Sequence, residues 1–154
     1  MIRLSRLTDY AVTLLSHMGK EGEENLWAAS DLAETSGLPM PTVAKIMKLL
    51  TKSNLITAQR GASGGYRLAR PMTDISVAAI IEAMDGPIAI TDCSEGSLHQ
   101  GCRVESLCPV SEGWNKVNRV VRSALENVTL AEMYAPLPSR NNKAPETLHA
   151  LAGD

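Results

Sequence analysis

Ala33, Gly37 and Val43 stand in an A-x3-G-x5-V spacing, which restricts the local fold more than any other feature of the 154 residues. A small Ala lets two helices approach, Gly takes a positive φ in the tight turn between them, and the branched Val buries the second helix. Any helical hairpin with a glycine turn can share these three residues. The next stretch of chain narrows the choice. Two short extended segments, residues 55–59 and 66–69, flank Arg60-Gly61-Ala62-Ser63-Gly64-Gly65, a hairpin with a glycine-rich tip. No Lys-Ser or Lys-Thr comes after that tip, so it is not a phosphate-cradling P-loop. A helix-turn-helix leading into such a hairpin is a winged helix.

The charges on these elements share one sign. Between Glu34 and Asp74 no acidic residue occurs, while Lys45, Lys48, Lys52, Arg60, Arg67 and Arg70 carry six positive charges. From Asp74 to Glu112, seven acids oppose Arg103 alone. A net charge of -2 therefore conceals a basic half suited to a polyanion. In a helix-turn-helix the N-terminal turn of the recognition helix enters the major groove. Pro41, Thr42, Lys45 and Lys48 are expected to face DNA, with Thr42 and Lys45 at base edges and Lys48 at phosphates. Arg60, Arg67 and the backbone around Ser63, Gly64 and Gly65 are expected at the sugar-phosphate strand or minor groove. Lys52 fits either a phosphate contact or a solvated face.

Apolar periodicity outlines the rest. Leu7, Ala11, Leu14, Leu15 and Met18 predict a first helix, with Ser5 or Thr8 as its cap and Gly19 as its stop. Leu32 and Ala33 mark a short helix over 28–36, and Val43, Ile46, Met47, Leu49 and Leu50 mark one running from Pro41 to residue 53. Val77, Ile80, Ile81 and Met84 predict a helix over 75–84. Trp114, Val117, Val121, Ala124, Leu125 and Val128 predict another of about 15 residues or more. The expected fold is mainly α: a winged helix-turn-helix with a two-stranded wing and a long C-terminal dimerisation helix. Residues 1–72 form the DNA-binding region, 73–92 a connecting helix, 93–110 a cysteine loop and 111–134 the dimerisation helix. Residues 135–154, with Pro136, Pro138 and Pro145, read as a disordered tail. At 44% hydrophobic and without Phe, the chain can close one medium core. It has no run of the ~18 apolar residues that cross a membrane and no signal-peptide core, so a cytoplasmic chain with no membrane partner is expected.

Eight residues separate Cys93 from Cys102, and five separate Cys102 from Cys108. Three cysteines in a reducing compartment are not a disulfide framework, and structural zinc prefers four ligands in close pairs. Isolated cysteines buried as small hydrophobes are the usual reading of such a spacing. Three thiolates on one loop also suit an iron-sulfur cluster whose fourth ligand comes from elsewhere. A thiol-redox enzyme lacks support, because there is no C-x-x-C and no paired base.

Leu7-Thr8-Asp9-Tyr10-Ala11-Val12, the segment Arg60-Gly61-Ala62-Ser63-Gly64-Gly65-Tyr66-Arg67-Leu68, Ile75-Ser76-Val77-Ala78-Ala79-Ile80-Ile81-Glu82-Ala83 and the three cysteines closely resemble bacterial iron-sulfur-sensing winged-helix repressors. This family includes IscR-type regulators of cluster assembly and NsrR-type nitric oxide sensors. The resemblance spans residues 1 to 134. Gly86-Pro87-Ile88-Ala89-Ile90-Thr91-Asp92-Cys93 looks most like the branch that regulates the SUF assembly operon. It implies a homodimer on double-stranded operator DNA, with Cys93, Cys102 and Cys108 ligating an iron-sulfur cluster, 2Fe–2S ahead of 4Fe–4S. One position departs from the pattern. IscR-type proteins carry a His three residues after the last cysteine, where Ser111 stands here. NsrR-type relatives take an Asp near the start of the partner subunit's first helix, and Asp9 matches that position. His99, inside the loop, is the other candidate, and Asp9 also fits a plain helix N-terminal charge. His17 and His149 have no ligand case. The alternative function is a clusterless or nitric-oxide-responsive winged-helix regulator controlled by another ligand or partner.

Overall fold

In the computed structural model, residues 3–20, 22, 24–92, 94 and 108–134 are described. Helix α1 (Arg6–Lys20) is capped by Ser5, whose Oγ accepts the Thr8 N–H at 3.2 Å. It turns Ala11, Leu14, Leu15 and Met18 into the core, at the expected helical spacing. Helices α2 (Ala29–Ser36) and α3 (Met40–Lys52) meet at Gly37, whose φ of 69° is left-handed. Nothing crowds a Cβ there, so backbone conformation alone requires the glycine. Val43 is buried and Ala33 half-buried, as the spacing predicts. The end of α3 is closed by Leu55 N–H on the Leu50 carbonyl and Asn54 N–H on the Thr51 carbonyl, with Asn54 at φ 57°.

Strands β1 (Ile56–Gln59) and β2 (Gly65–Leu68) pair antiparallel, Ile56 opposite Leu68 and Gln59 opposite Gly65. Ile56 and Leu68 are buried and anchor the hairpin in the core. An element that periodicity does not predict completes the sheet: Trp27 and Tyr66 exchange both backbone hydrogen bonds at 2.8 Å. A lone bridging residue has no repeat to reveal it. Gly65 permits the pairing, since a Cβ there would lie 2.7 Å from the Trp27 carbonyl oxygen.

After a 3-10 turn at Met72–Asp74, Ser76 caps α4 (Val77–Asp85) by accepting the Ala79 N–H. This helix starts two residues later than periodicity suggests, because the Ile75 carbonyl accepts the Leu130 N–H instead. The segment 111–134, expected as one dimerisation helix, holds two: α5 (Ser111–Glu126) and the short α6 (Leu130–Tyr134). Two features hold the break. Val77 N–H donates to the Val128 carbonyl and Leu130 N–H to that of Ile75, both at 2.8 Å. Thr129 and Glu132 cap each other, with Thr129 N–H on Glu132 Oε2 at 2.7 Å and Glu132 N–H on Thr129 Oγ1 at 3.2 Å. That Thr-x-x-Glu is a start signal the stripe of apolar residues masks. Leu130 is buried where α6 packs on α1 and the 3-10 turn. Cys93, His99, Cys102 and the expected tail 135–154 lie outside the described residues. Among the described residues, no helix is long and apolar enough to cross a membrane.

Candidate nucleic-acid interface and cysteine loop

The interior face of α3 is Val43, Ile46, Met47 and Leu50, all buried. Steps of four, three and four residues place Pro41, Lys45, Lys48 and Lys52 together on the opposite face, and all four are exposed. Thr42 is half-buried, with its N–H on the Pro39 carbonyl at 2.9 Å. No acidic residue occupies the first turn, so the positive end of the helix dipole and the lysines add to one field. Met40, 46% exposed at the first helical position, is a further apolar group at the N-terminal end of α3 that no sequence pattern singles out.

On the wing, Arg60 and Ser63 are exposed at the tip. The Gly64 N–H is bonded to the Gly61 carbonyl at 3.0 Å, so it closes the turn. Arg67, on β2, lies 3.4 Å from the Glu24 carboxylate in an exposed ion pair. Lys45, Lys48, Lys52 and Arg60 form no ion pair with a carboxylate among the described residues. Exposed cations thus stand on α3 and at the wing tip, the groups that phosphate neutralisation requires.

Cys108 is a free, half-buried thiol two residues ahead of the α5 cap, and its carbonyl accepts the Ser111 hydroxyl at 3.2 Å. Asp9 is exposed in the first turn of α1, beside a groove of about 330 Å³ lined by Arg3, Leu4, Arg6, Val12 and Met133. Among the described residues, no three His, Cys, Asp or Glu side chains gather into a metal site. Helix α5 carries the expected apolar stripe, with Val121 and Leu125 half-buried but Trp114, Val117 and Val128 exposed, and Val110 and Val120 add to the solvated surface. Val110, Trp114, Val117 and Val120 are 40% to 62% exposed. Apolar surface of that kind marks an interaction face.

The model of iron-dependent transcriptional regulators of the Rrf2 type matches residues 4–136. The chain belongs to the Rrf2 family. An HTH-type transcriptional regulator of Mycobacterium tuberculosis is 31% identical over 154 residues, covering 99% of this chain and 90% of its own. The HTH-type transcriptional regulator IscR of Serratia proteamaculans is 29% identical over 132 residues, covering 86% and 79%. Among solved structures, T. potens IscR aligns with a TM-score of 0.59 at 30% identity, over 86% of this chain and 85% of that one. CymR, the global cysteine regulator of B. subtilis, aligns with a TM-score of 0.67 at 23% identity, over 87% and 97%, a likeness of fold. The relatives regulate transcription and are not enzymes. This Rrf2 protein is accordingly an IscR-like, DNA-binding transcriptional regulator on a winged-helix scaffold.

Two side chains that hold the Rrf2 scaffold together around its cysteine loop carry no sequence signal. Asn118, off the apolar stripe of α5, is buried and hydrogen-bonded to the backbone of Ile88 and Ile90. Asp85, the last residue of α4, accepts bonds from Ser5 and Thr8 at the start of α1. Both contacts join segments far apart in the chain, where no spacing rule reaches.

Proposed function

We propose that this Rrf2 protein is a homodimeric repressor of iron-sulfur assembly genes of the SUF type, and that it holds an iron-sulfur cluster. The observation that carries this reading is a free, half-buried Cys108 thiol next to a helix whose apolar stripe leaves Trp114 and Val117 exposed. The stripe supplies a surface for a second copy, and the thiol stands at its edge. Cys93, Cys102 and Cys108 are three soft donors, which suit an iron-sulfur cluster and not a hard cation. Asp9, exposed on α1 and so open to a second subunit, is the fourth donor, with His99 its rival. When bound, a 2Fe–2S or 4Fe–4S cluster supplies a centre whose occupancy follows iron supply or oxidants.

On the DNA side, Thr42 and Lys45 read base edges while Lys48, Arg60 and Ser63 hold the strand; the Gly64 N–H, bonded to the Gly61 carbonyl, shapes the tip instead. Met40 offers an apolar group to a thymine methyl. In a dimer joined along α5, two copies of α3 meet successive major grooves about 34 Å apart. The visible spectrum of protein purified without oxygen, with iron and sulfide quantified, tests the reading. A coloured protein with iron and sulfide in equal amounts supports it. A colourless dimer that still binds DNA supports a regulator controlled by another ligand or partner.

A further inference from the structure

Among the described residues, Asn118 is the buried residue of α5, at 2% exposure, and it is polar. Its Oδ1 accepts the Ile90 N–H at 3.1 Å, and its Nδ2 donates to the Ile88 carbonyl at 3.2 Å. One side-chain amide thus treats residues 88–90 as a neighbouring strand would. An N–H and a carbonyl as partners allow this orientation of the amide and no other. Just beyond, Ser94 N–H donates to the Thr91 carbonyl at 3.0 Å, and the two hydroxyls bond at 2.7 Å with Ser94 buried. The chain that leads to position 93 is therefore fastened to α5 and then turned.

The same helix is fastened elsewhere to α4. Past its C-terminal end, the Val128 carbonyl accepts the Val77 N–H at 2.8 Å, and Arg122 reaches Glu82 of α4 at 3.0 Å. Segment 86–92 is also continuous with α4. A shift of that segment pulls on α5 near its middle while Val128 stays with α4, so the helix has two distinct anchors. An apolar side chain at 118 would pack without direction and let the segment slide. A doubly bonded amide holds one register, and its burial is tolerable because both partners are present.

We propose that Asn118 is a positioning residue that transmits the state of the cysteine loop to α5, and through α5 to the spacing of the two recognition helices. The proposal rests on the cluster reading above. Its test uses the full chain, loaded with cluster anaerobically and also as apo protein, in wild type, Asn118→Leu and Asn118→Ala. Leu keeps the branched outline of the side chain and removes the amide that pairs the Ile90 N–H and the Ile88 carbonyl. Ala leaves room for water to reach them, so it keeps the test alive if the Leu variant does not fold. Each variant is expected to lose the cluster in air about tenfold faster than wild type. The ratio of loaded to apo operator affinity should fall to unity, with apo affinity unchanged. A folded variant that keeps the wild-type cluster lifetime and the wild-type ratio overturns the proposal. A wild type that takes up no cluster overturns the cluster reading, and the coupling falls with it; the spectrum of the wild type alone tells the two failures apart.

Discussion

The Thr8 hydroxyl donates to Asp85 Oδ2 at 2.7 Å, joining the first turn of α1 to the last residue of α4 across 77 positions of chain. Ser5 N–H adds a second bond to the same oxygen at 3.2 Å. Burial pushes the Asp85 carboxyl up, but the bonds from Ser5 and Thr8 outweigh it and hold the group below its ordinary value of 3.8. The helix that presents Asp9 is thereby tied to the segment that leads into the cysteine loop.

A carboxyl depressed in the folded state stabilises the fold above its unfolded value and loses that contribution as pH falls through the folded one. Stability is therefore expected to decline as pH drops below 3.8, in part through Asp85. Asp85→Asn should flatten that part of the profile and cost about 1 kcal/mol near neutrality, kept small by partial exposure. Urea melts of both proteins across the acid range check this, and parallel profiles would count against it.

Gly65→Ala places a methyl 2.7 Å from the Trp27 carbonyl oxygen, against backbone that has little room to yield. The variant should lose about 1–3 kcal/mol and loosen the wing. Amide exchange at Tyr66, whose N–H bonds to Trp27, should speed up before global unfolding. Protection equal to wild type would mean that the strand shifts without cost.

Operator binding should weaken steeply with salt, each neutralised phosphate adding about 0.9 to the log-log slope. Lys45→Ala is expected to cost roughly 1–3 kcal/mol and to relax preference at one base pair per half-site. Lys52→Ala should act evenly on all sequences. If both variants weaken specific and random DNA alike, the rotation of α3 on the groove is misassigned.

Val120 is 62% exposed on α5, and a charge there should block association through the apolar face while leaving the monomer folded. Val120→Glu is expected to sediment as a monomer with wild-type helix content by circular dichroism. A dimer of undiminished strength would place the interface elsewhere.

Replacing Cys93, Cys102 or Cys108 by Ala should remove the visible chromophore and leave a folded dimer. Asp9→Ala should still assemble a cluster but lose it faster in air, with the apo protein binding DNA as before. Unchanged decay in Asp9→Ala together with faster decay in His99→Ala would assign the fourth ligand to His99.

The local elements were legible because their causes are local. The three- and four-residue spacing of Leu14, Leu15 and Met18, or of Val43, Ile46, Met47 and Leu50, states which face of a helix must leave water, and those residues are buried. Gly37 announces a left-handed turn, and the Arg60 to Gly65 run announces a hairpin tip. The α5 stripe continues through Val128, which hides the helix end that the Thr129–Glu132 capping box marks.

Other features were settled by tertiary structure alone. Periodicity shows that α5 has an apolar side but not that Trp114 and Val117 on it stay exposed while Asn118 is the residue buried. Trp27 meets Tyr66, Thr8 meets Asp85, and Asn118 meets Ile88 and Ile90 across stretches of chain that share no repeat. A buried polar group gains its stability from whichever donor or acceptor packing brings within hydrogen-bond reach. Which partner that is depends on how the helices stack around the core, and residue order along the chain determines only which partners exist.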